Sequence, residues 1–267
     1  MMKVKELEKV LENIVPANLK ESYDNVGLMV GDREAEVNKV LLALDCTLDV
    51  IEEGKKENVD IIITHHPLLF KKPSTITTDT LLGKKIIELI KNNINLYSLH
   101  TNLDSVQNGM NDTIVSLLGF KSSKIIEKSS QDENAGIGRI VNLDKEITLK
   151  DVIDIVKDKL KIKDLRYAGN LEKKIKTIAI INGSGQDFFN KAKYLGADCI
   201  ITGDTTYHFV SDFKEMKIGI IDIGHFGSEW ITFLEVAKNL IIKELKDKDS
   251  NLEFLISKKT KDPYNFI

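Results

Sequence analysis

Short apolar runs of strand length alternate along this chain with longer stretches whose apolar residues recur at helical spacing. That alternation commits the chain to an α/β fold. Val4, Leu7, Val10, Leu11 and Ile14 form one helical stretch, which Pro16 stops. The pattern predicts strands at residues 26–30, 39–44, 60–64 and 94–99, with Thr47 capping a helix to about 56. Further helices are expected near 80–91 and 110–118. The polar stretch 121–133 predicts a domain boundary. Beyond it the reading gives strands at 138–143, 165–168, 177–181, 198–202 and 218–222, helices at 148–160, 187–195 and 228–245, and a last strand near 252–257. Two domains are expected, residues 1–125 with 222–267 and residues 126–221.

Composition closes off several classes. With 42% hydrophobic and 30% charged residues the chain carries enough apolar material for a core, which excludes a disordered polymer. No apolar run approaches the roughly 18 residues a membrane span needs, and the N-terminus lacks the apolar segment of a secretory signal. The basic set is almost all lysine, with arginine only at Arg33, Arg139 and Arg166, which argues against a nucleic-acid-reading surface. Two cysteines, Cys46 and Cys199, cannot build a disulfide framework, and the expected setting is a reducing cytoplasm.

The five histidines are His65, His66, His100, His208 and His225. His65-His66, His100 and His225 each lie just past a predicted strand, and His208 follows Gly203-Asp204 a few residues beyond another. Ligands of open α/β sheets bind outside the carboxyl ends of the strands, so parallel strands would gather these imidazoles at one rim. Taken singly, each element has an ordinary alternative. His65-His66 is either a hydrogen-bonded pair at a strand end or two ligands for neighbouring ions. Asp104, four residues past His100, is either a helix cap or a carboxylate able to bridge cations, with Asn102 and His100 orienting it. His225 and Glu229 share a helix face, as a solvated pair or as metal ligands. Asn182-Gly183-Ser184-Gly185 is either a tight strand-to-helix turn or an anion nest. Cys46, Phe188-Phe189 and Phe226/Trp230 read as core.

Five segments together carry a resemblance. They are Ser22-Tyr23-Asp24-Asn25-Val26-Gly27-Leu28, Thr64-His65-His66-Pro67, His100-Thr101-Asn102-Leu103-Asp104, Thr202-Gly203-Asp204 with Tyr207-His208, and Gly224-His225-Phe226-Gly227-Ser228-Glu229. In this order and over the whole chain they resemble the GTP cyclohydrolase I type 2 homolog family, the NIF-three-like dinuclear metal proteins. The chain is similar in length to the compact members, which lack an inserted middle domain. Tyr23 stands where the family often has Trp, and Asp204 where Glu is frequent. The resemblance implies two interleaved α/β domains with a dinuclear metal site in the cleft between them. It implies His65, His66, Asp104, His225 and Glu229 as metal ligands, and a homohexamer.

Such a set, three histidines and two carboxylates without a thiolate, suits two ions of Zn²⁺, Mn²⁺, Fe²⁺, Co²⁺ or Ni²⁺. Paired ions with open positions are hydrolytic machinery. The first expectation is therefore a metal-dependent hydrolase opening the ring of a purine nucleotide, with His100 and His208 as catalytic proton relays. Phosphoester hydrolysis at the same centre is the second. A metal-storing, metal-delivering or regulatory protein is the third. Formate, phosphate or no product separates them.

Overall fold

The structure, a computed structural model, describes residues 1–121 and 123–267. It has two compact units, Met1–Leu103 with Ala237–Lys261 and Asp104–Val236 with Asp262–Ile267.

The first unit is built on a five-stranded sheet in the order Glu253–Ile256, Lys39–Ala43, Ile61–Thr64, Asn95–Ser98, Gly27–Val30. The first four strands are parallel and Gly27–Val30 closes the edge antiparallel. Ile61, Ile62 and Ile63 are wholly buried, as expected of a strand covered on both faces. Each such side chain contributes about 1.5–3 kcal/mol of burial, which fixes where the strand sits. The crossovers are helices Leu48–Lys56 and Leu81–Lys91, whose first turns are capped by the hydroxyls of Thr47 and Thr80. Cross-strand pairing places Ala43, Thr64 and Ser98 side by side at the carboxyl end. Whatever follows those residues emerges at one rim.

The second unit holds a six-stranded sheet in the order Lys124–Lys128, Gly136–Thr148, Lys174–Ser184, Cys199–Gly203, Gly219–Asp222, Arg166–Ala168. Lys174–Ser184, Cys199–Gly203 and Gly219–Asp222 are mutually parallel, and their ends, Ser184, Gly203 and Asp222, form another carboxyl rim. The remaining pairings are antiparallel.

Several expectations shift. The polar stretch at 121–133 is not a linker: Lys124–Lys128 is an edge strand in which Ile126 is buried while Lys124 and Lys128 point to water. Ser122, in that stretch, lies outside the described residues. The division between units falls at 103/104 and 236/237 rather than at 125/126 and 221/222. The physical reason is packing. Helices Met110–Leu117 and His225–Val236 lie against each other and against strand Lys174–Ser184, and Ile114, Val115 and Leu118 join the core of Ile178 and Ile180. Asn182-Gly183-Ser184 does not open a helix but ends that strand, and a short 3₁₀ turn, Gln186–Phe188, precedes the helix Phe189–Tyr194. The helix expected at 228–245 begins at His225, turns π-helical over Ala237–Ile242 and resumes as Lys243–Lys248. Among the described residues no helix is long and apolar enough to cross a membrane.

Candidate metal centre

In the first unit three imidazoles converge on the rim. His65 and His66 leave strand Ile61–Thr64, and His100 follows strand Asn95–Ser98 by two residues. One ring nitrogen from each of the three lies within 4.8 Å of the others. Each is fixed from behind through Nδ1. His65 Nδ1 lies 2.8 Å from the Leu99 carbonyl, His66 Nδ1 2.9 Å from Asp45 Oδ1, and His100 Nδ1 2.8 Å from Asp24 Oδ1. A carbonyl or carboxylate oxygen can only accept, so the Nδ1 of each ring carries a proton. This is the support that metal-ligating histidines receive: an oxygen that sets both tautomer and ring orientation.

Asp24 is the most constrained of these anchors. Its side chain is buried, which by itself raises its pKa. The His100 ring outweighs that, with help from the Thr101 hydroxyl and backbone amide, and the carboxyl falls to about 2. It is an anion at neutral pH. Asn102 Oδ1 accepts the His100 backbone N–H at 2.9 Å, and its Nδ2 donates to the Val15 carbonyl at 3.1 Å. Asn102 thus holds the backbone of the turn rather than any carboxylate.

The second unit brings His225 and Glu229 together. They stand one turn apart on helix His225–Val236, with His225 Nε2 2.9 Å from Glu229 Oε2. That is roughly the separation of neighbouring ligand atoms on one ion with bonds near 2.0–2.2 Å. His225 Nδ1 lies 2.8 Å from Asp204 Oδ2. Asp204 takes a left-handed backbone, φ 51°, which Asp tolerates better than most residues. Glu229 is 3% exposed and lies against Gly183, where an added Cβ would sit 2.3 Å from Glu229 Oε1.

Asp104 is inside the short helix Thr101–Ser105 and is half-buried, so it is not that helix's cap. A polar chain ties its backbone to the Glu229 end of the unit. Asn111 Nδ2 donates to the Asp104 carbonyl at 3.0 Å and Asn111 Oδ1 accepts the Asn182 N–H at 3.1 Å, next to Gly183. The anion-nest reading of 182–185 fails on this count. Asn111, the Ser228 hydroxyl and the Thr202 hydroxyl already take the amides of Asn182, Gly183 and Gly185. The Asn182 side-chain amide is buried with neither polar atom hydrogen-bonded, a state that protein cores avoid.

Of the remaining expected site residues, His208 lies exposed on helix Tyr207–Glu215, its ring edge-on to Tyr207 at 5.4 Å. His100, read from the sequence as a proton relay that also orients Asp104, stands among the nitrogen donors of the first unit. Residue-by-residue reading missed the roles of Asp24, Asp45 and Asp204. Asp45 and Asp204 each follow a strand end, and that shared position was the available signal. The set otherwise fits divalent ions in its chemistry: imidazoles held in fixed orientations and carboxylates, with no thiolate among them. Cys46 and Cys199 are buried in the cores of the separate sheets, and burial pushes each thiol up to about 12.

The family model for Duf34/NIF3 (NGG1p interacting factor 3) matches residues 2–263. A Clostridium perfringens protein named GTP cyclohydrolase 1 type 2 homolog is 60% identical over 266 residues, covering 100% of both chains. A Clostridium acetobutylicum protein of the same name is 55% identical and covers 99% of both. The crystal structure of a Staphylococcus aureus hypothetical protein superposes with a TM-score of 0.91 at 32% identity, covering 100% of this chain and 99% of that one.

Proposed function

The chain belongs to the Duf34/NIF3 family, and on that premise we propose that it is a dinuclear metal-dependent hydrolase acting on a purine nucleotide. His65, His66, Asp104, His225 and Glu229 hold two divalent ions drawn from Zn²⁺, Mn²⁺, Fe²⁺, Co²⁺ and Ni²⁺. One observation carries this reading: ring nitrogens of His65, His66 and His100 gather within 4.8 Å of one another, with His65 and His66 oriented by oxygens 2.8 and 2.9 Å from Nδ1, and His225 Nε2 stands 2.9 Å from Glu229 Oε2. When bound, such ions acidify water and stabilise negative charge developing on an attacked centre.

The chain's own residues set up the rest. Asp24, Asp45 and Asp204 keep three of the imidazoles in one tautomer, and the Leu99 carbonyl does so for His65. Glu229 and Asp104 bring negative charge, which offsets the repulsion of two cations at close range. His100, backed by the Asp24 anion, moves a proton at its Nε2. His208, exposed and near the rim of its own sheet, exchanges protons with solvent. The substrate class follows the name that the relatives carry, and formate is the product that identifies ring opening.

The test is incubation of metal-loaded protein with purine nucleotides, assaying formate and phosphate separately. Formate release supports the reading. Phosphate release makes the centre a phosphoesterase, and tight binding of two ions without turnover makes the protein a metal carrier or regulator. We also propose a cytoplasmic homohexamer that takes a small-molecule substrate, with neither membrane nor nucleic acid as a partner. Its buried thiols support the reducing compartment and its scarce arginines the absence of a nucleic-acid partner, while the hexamer rests on the family resemblance. Light scattering at a hexamer's mass is the expected result.

A further inference from the structure

A cleft of about 400 Å³ opens in the second unit, beside the loop that anchors His225. Its polar walls are Arg166 and Tyr167 from the outer strand, Thr205, Thr206 and Tyr207 from the loop and helix after Asp204, Lys214, and the carboxylate Asp222. Ala168, Val210 and Ile220 also line it as apolar surface. We propose that this cleft binds the nucleotide, with the base against the tyrosines and the phosphate on Arg166 and Lys214. The proposal rests on the hydrolase reading above and deepens it by assigning the residues that recognise substrate.

The tyrosines argue for a flat aromatic ligand. Tyr167 is 49% and Tyr207 80% exposed, although each carries a ring that folding normally removes from water. Exposed aromatic faces in a polar-rimmed cleft are what a base stacks on, and the contact tolerates any base because every base has a π-face. A volume near 400 Å³ lies within the range of small-ligand sites.

The charges argue for an anion. Arg166 pairs with Asp222, which is almost fully buried, while its own side chain stays 72% exposed. Asp222, which also lines the cleft, thus holds the guanidinium through Nη2 while most of the Arg166 side chain stays exposed. The Asp222 charge is further spent inside the protein. Its oxygens accept the Thr205 N–H and O–H and the Gly224 N–H. With Lys214 added, the two lining cations outnumber the one lining carboxylate, Asp222. A planar, pre-aimed guanidinium is the group best suited to a phosphate.

Position links the cleft to the chemistry. Asp204, which holds His225 Nδ1, is followed directly by the cleft residues Thr205, Thr206 and Tyr207. Asp222 stands three residues before His225 and ties strand Gly219–Asp222 to the Thr205 loop. Thr206 is pinned in turn by Gln186 Oε1, which accepts its N–H at 3.2 Å and lies 3.1 Å from its hydroxyl. The wall is thus braced from both sides.

The experiment is calorimetric titration of the full-length, chelator-treated protein with guanosine 5′-monophosphate, guanosine and inorganic phosphate. The nucleotide is expected to bind, more weakly at higher salt, and both fragments at least about tenfold more weakly. Tyr207→Ala and Lys214→Ala, at exposed positions, and Arg166→Gln should each weaken nucleotide binding, the tyrosine by roughly tenfold to a hundredfold. All three should take up as much metal as the parent chain. No binding at millimolar nucleotide, or equal binding in all three variants, overturns the proposal. So does a fall in assembly mass in Tyr207→Ala with nucleotide affinity intact, because a second copy of the chain then covers the cleft. Metal uptake by the parent chain, measured separately, tests the hydrolase reading. Its failure there leaves the binding result standing on its own.

Discussion

Gly183 has no room for a side chain because Glu229 fills the space: a Cβ would lie 2.3 Å from Glu229 Oε1. Its backbone is also left-handed, φ 63°. Gly183→Ala should fold, since the far end of Glu229 can swing away, at a cost of about 1 kcal/mol for the backbone. The displaced carboxylate should lower metal affinity by roughly 10–100-fold. Calorimetric titration with Mn²⁺ or Zn²⁺ reads the affinity, and thermal unfolding of metal-free protein reads the backbone cost. Unchanged affinity would remove Glu229 from the ligand set.

Glu229→Gln should abolish binding of the ion pair more completely than His208→Ala. The amide keeps the shape but removes a negative charge that would offset the mutual repulsion of two bound cations in a partly desolvated setting. His208 is exposed and outside the two donor groups described above, so its loss should affect turnover more than occupancy. Two tight sites in Glu229→Gln with one lost in His208→Ala would reverse the assignment.

Asp24→Asn should loosen the His100 ring and carry a pH signature in metal-free protein. The Asp24 pKa is lowered from 3.8 to about 2, so its stabilisation is present above the unfolded value and lost as pH falls through the folded one. The parent chain should exceed Asp24→Asn by about 2 kcal/mol near neutral pH, a gap that closes between roughly pH 4 and 2. Denaturant unfolding across that range checks it. A gap that stays constant with pH would show that Asp24 acts through shape alone.

Metal content tests the centre directly. Elemental analysis after mild purification should find two divalent ions per chain, and chelation should lower the melting temperature, because ions bound to the native state stabilise it by mass action. Less than about half an ion per chain, with no uptake on reloading, would rule the centre out. Acid should release the ions as well, since protons compete with them for the imidazole nitrogens.

The sequence alone determined what depends on neighbours along the chain. Apolar periodicity placed the strands and most helices, because a strand buried on both faces must be apolar throughout and a surface helix must repeat its apolar face. The four-residue step from His225 to Glu229 already put both on one helix face, and the motif set already pointed to the family. Strand Lys124–Lys128 escaped because an edge strand buries only alternate residues and its lysines dominate the composition. Only the tertiary structure decided the pairings across the chain. His100 meets an oxygen of Asp24, 76 residues earlier, and Gly183 makes room for Glu229. The domain division likewise moved because two helices bury their apolar faces on the second sheet. Such contacts follow from the order and register of strands in a sheet. Parallel pairing set Ala43, Thr64 and Ser98 at one rim through hydrogen bonds that any sequence can form, so no local pattern of residue types records which carboxylate stands behind which histidine.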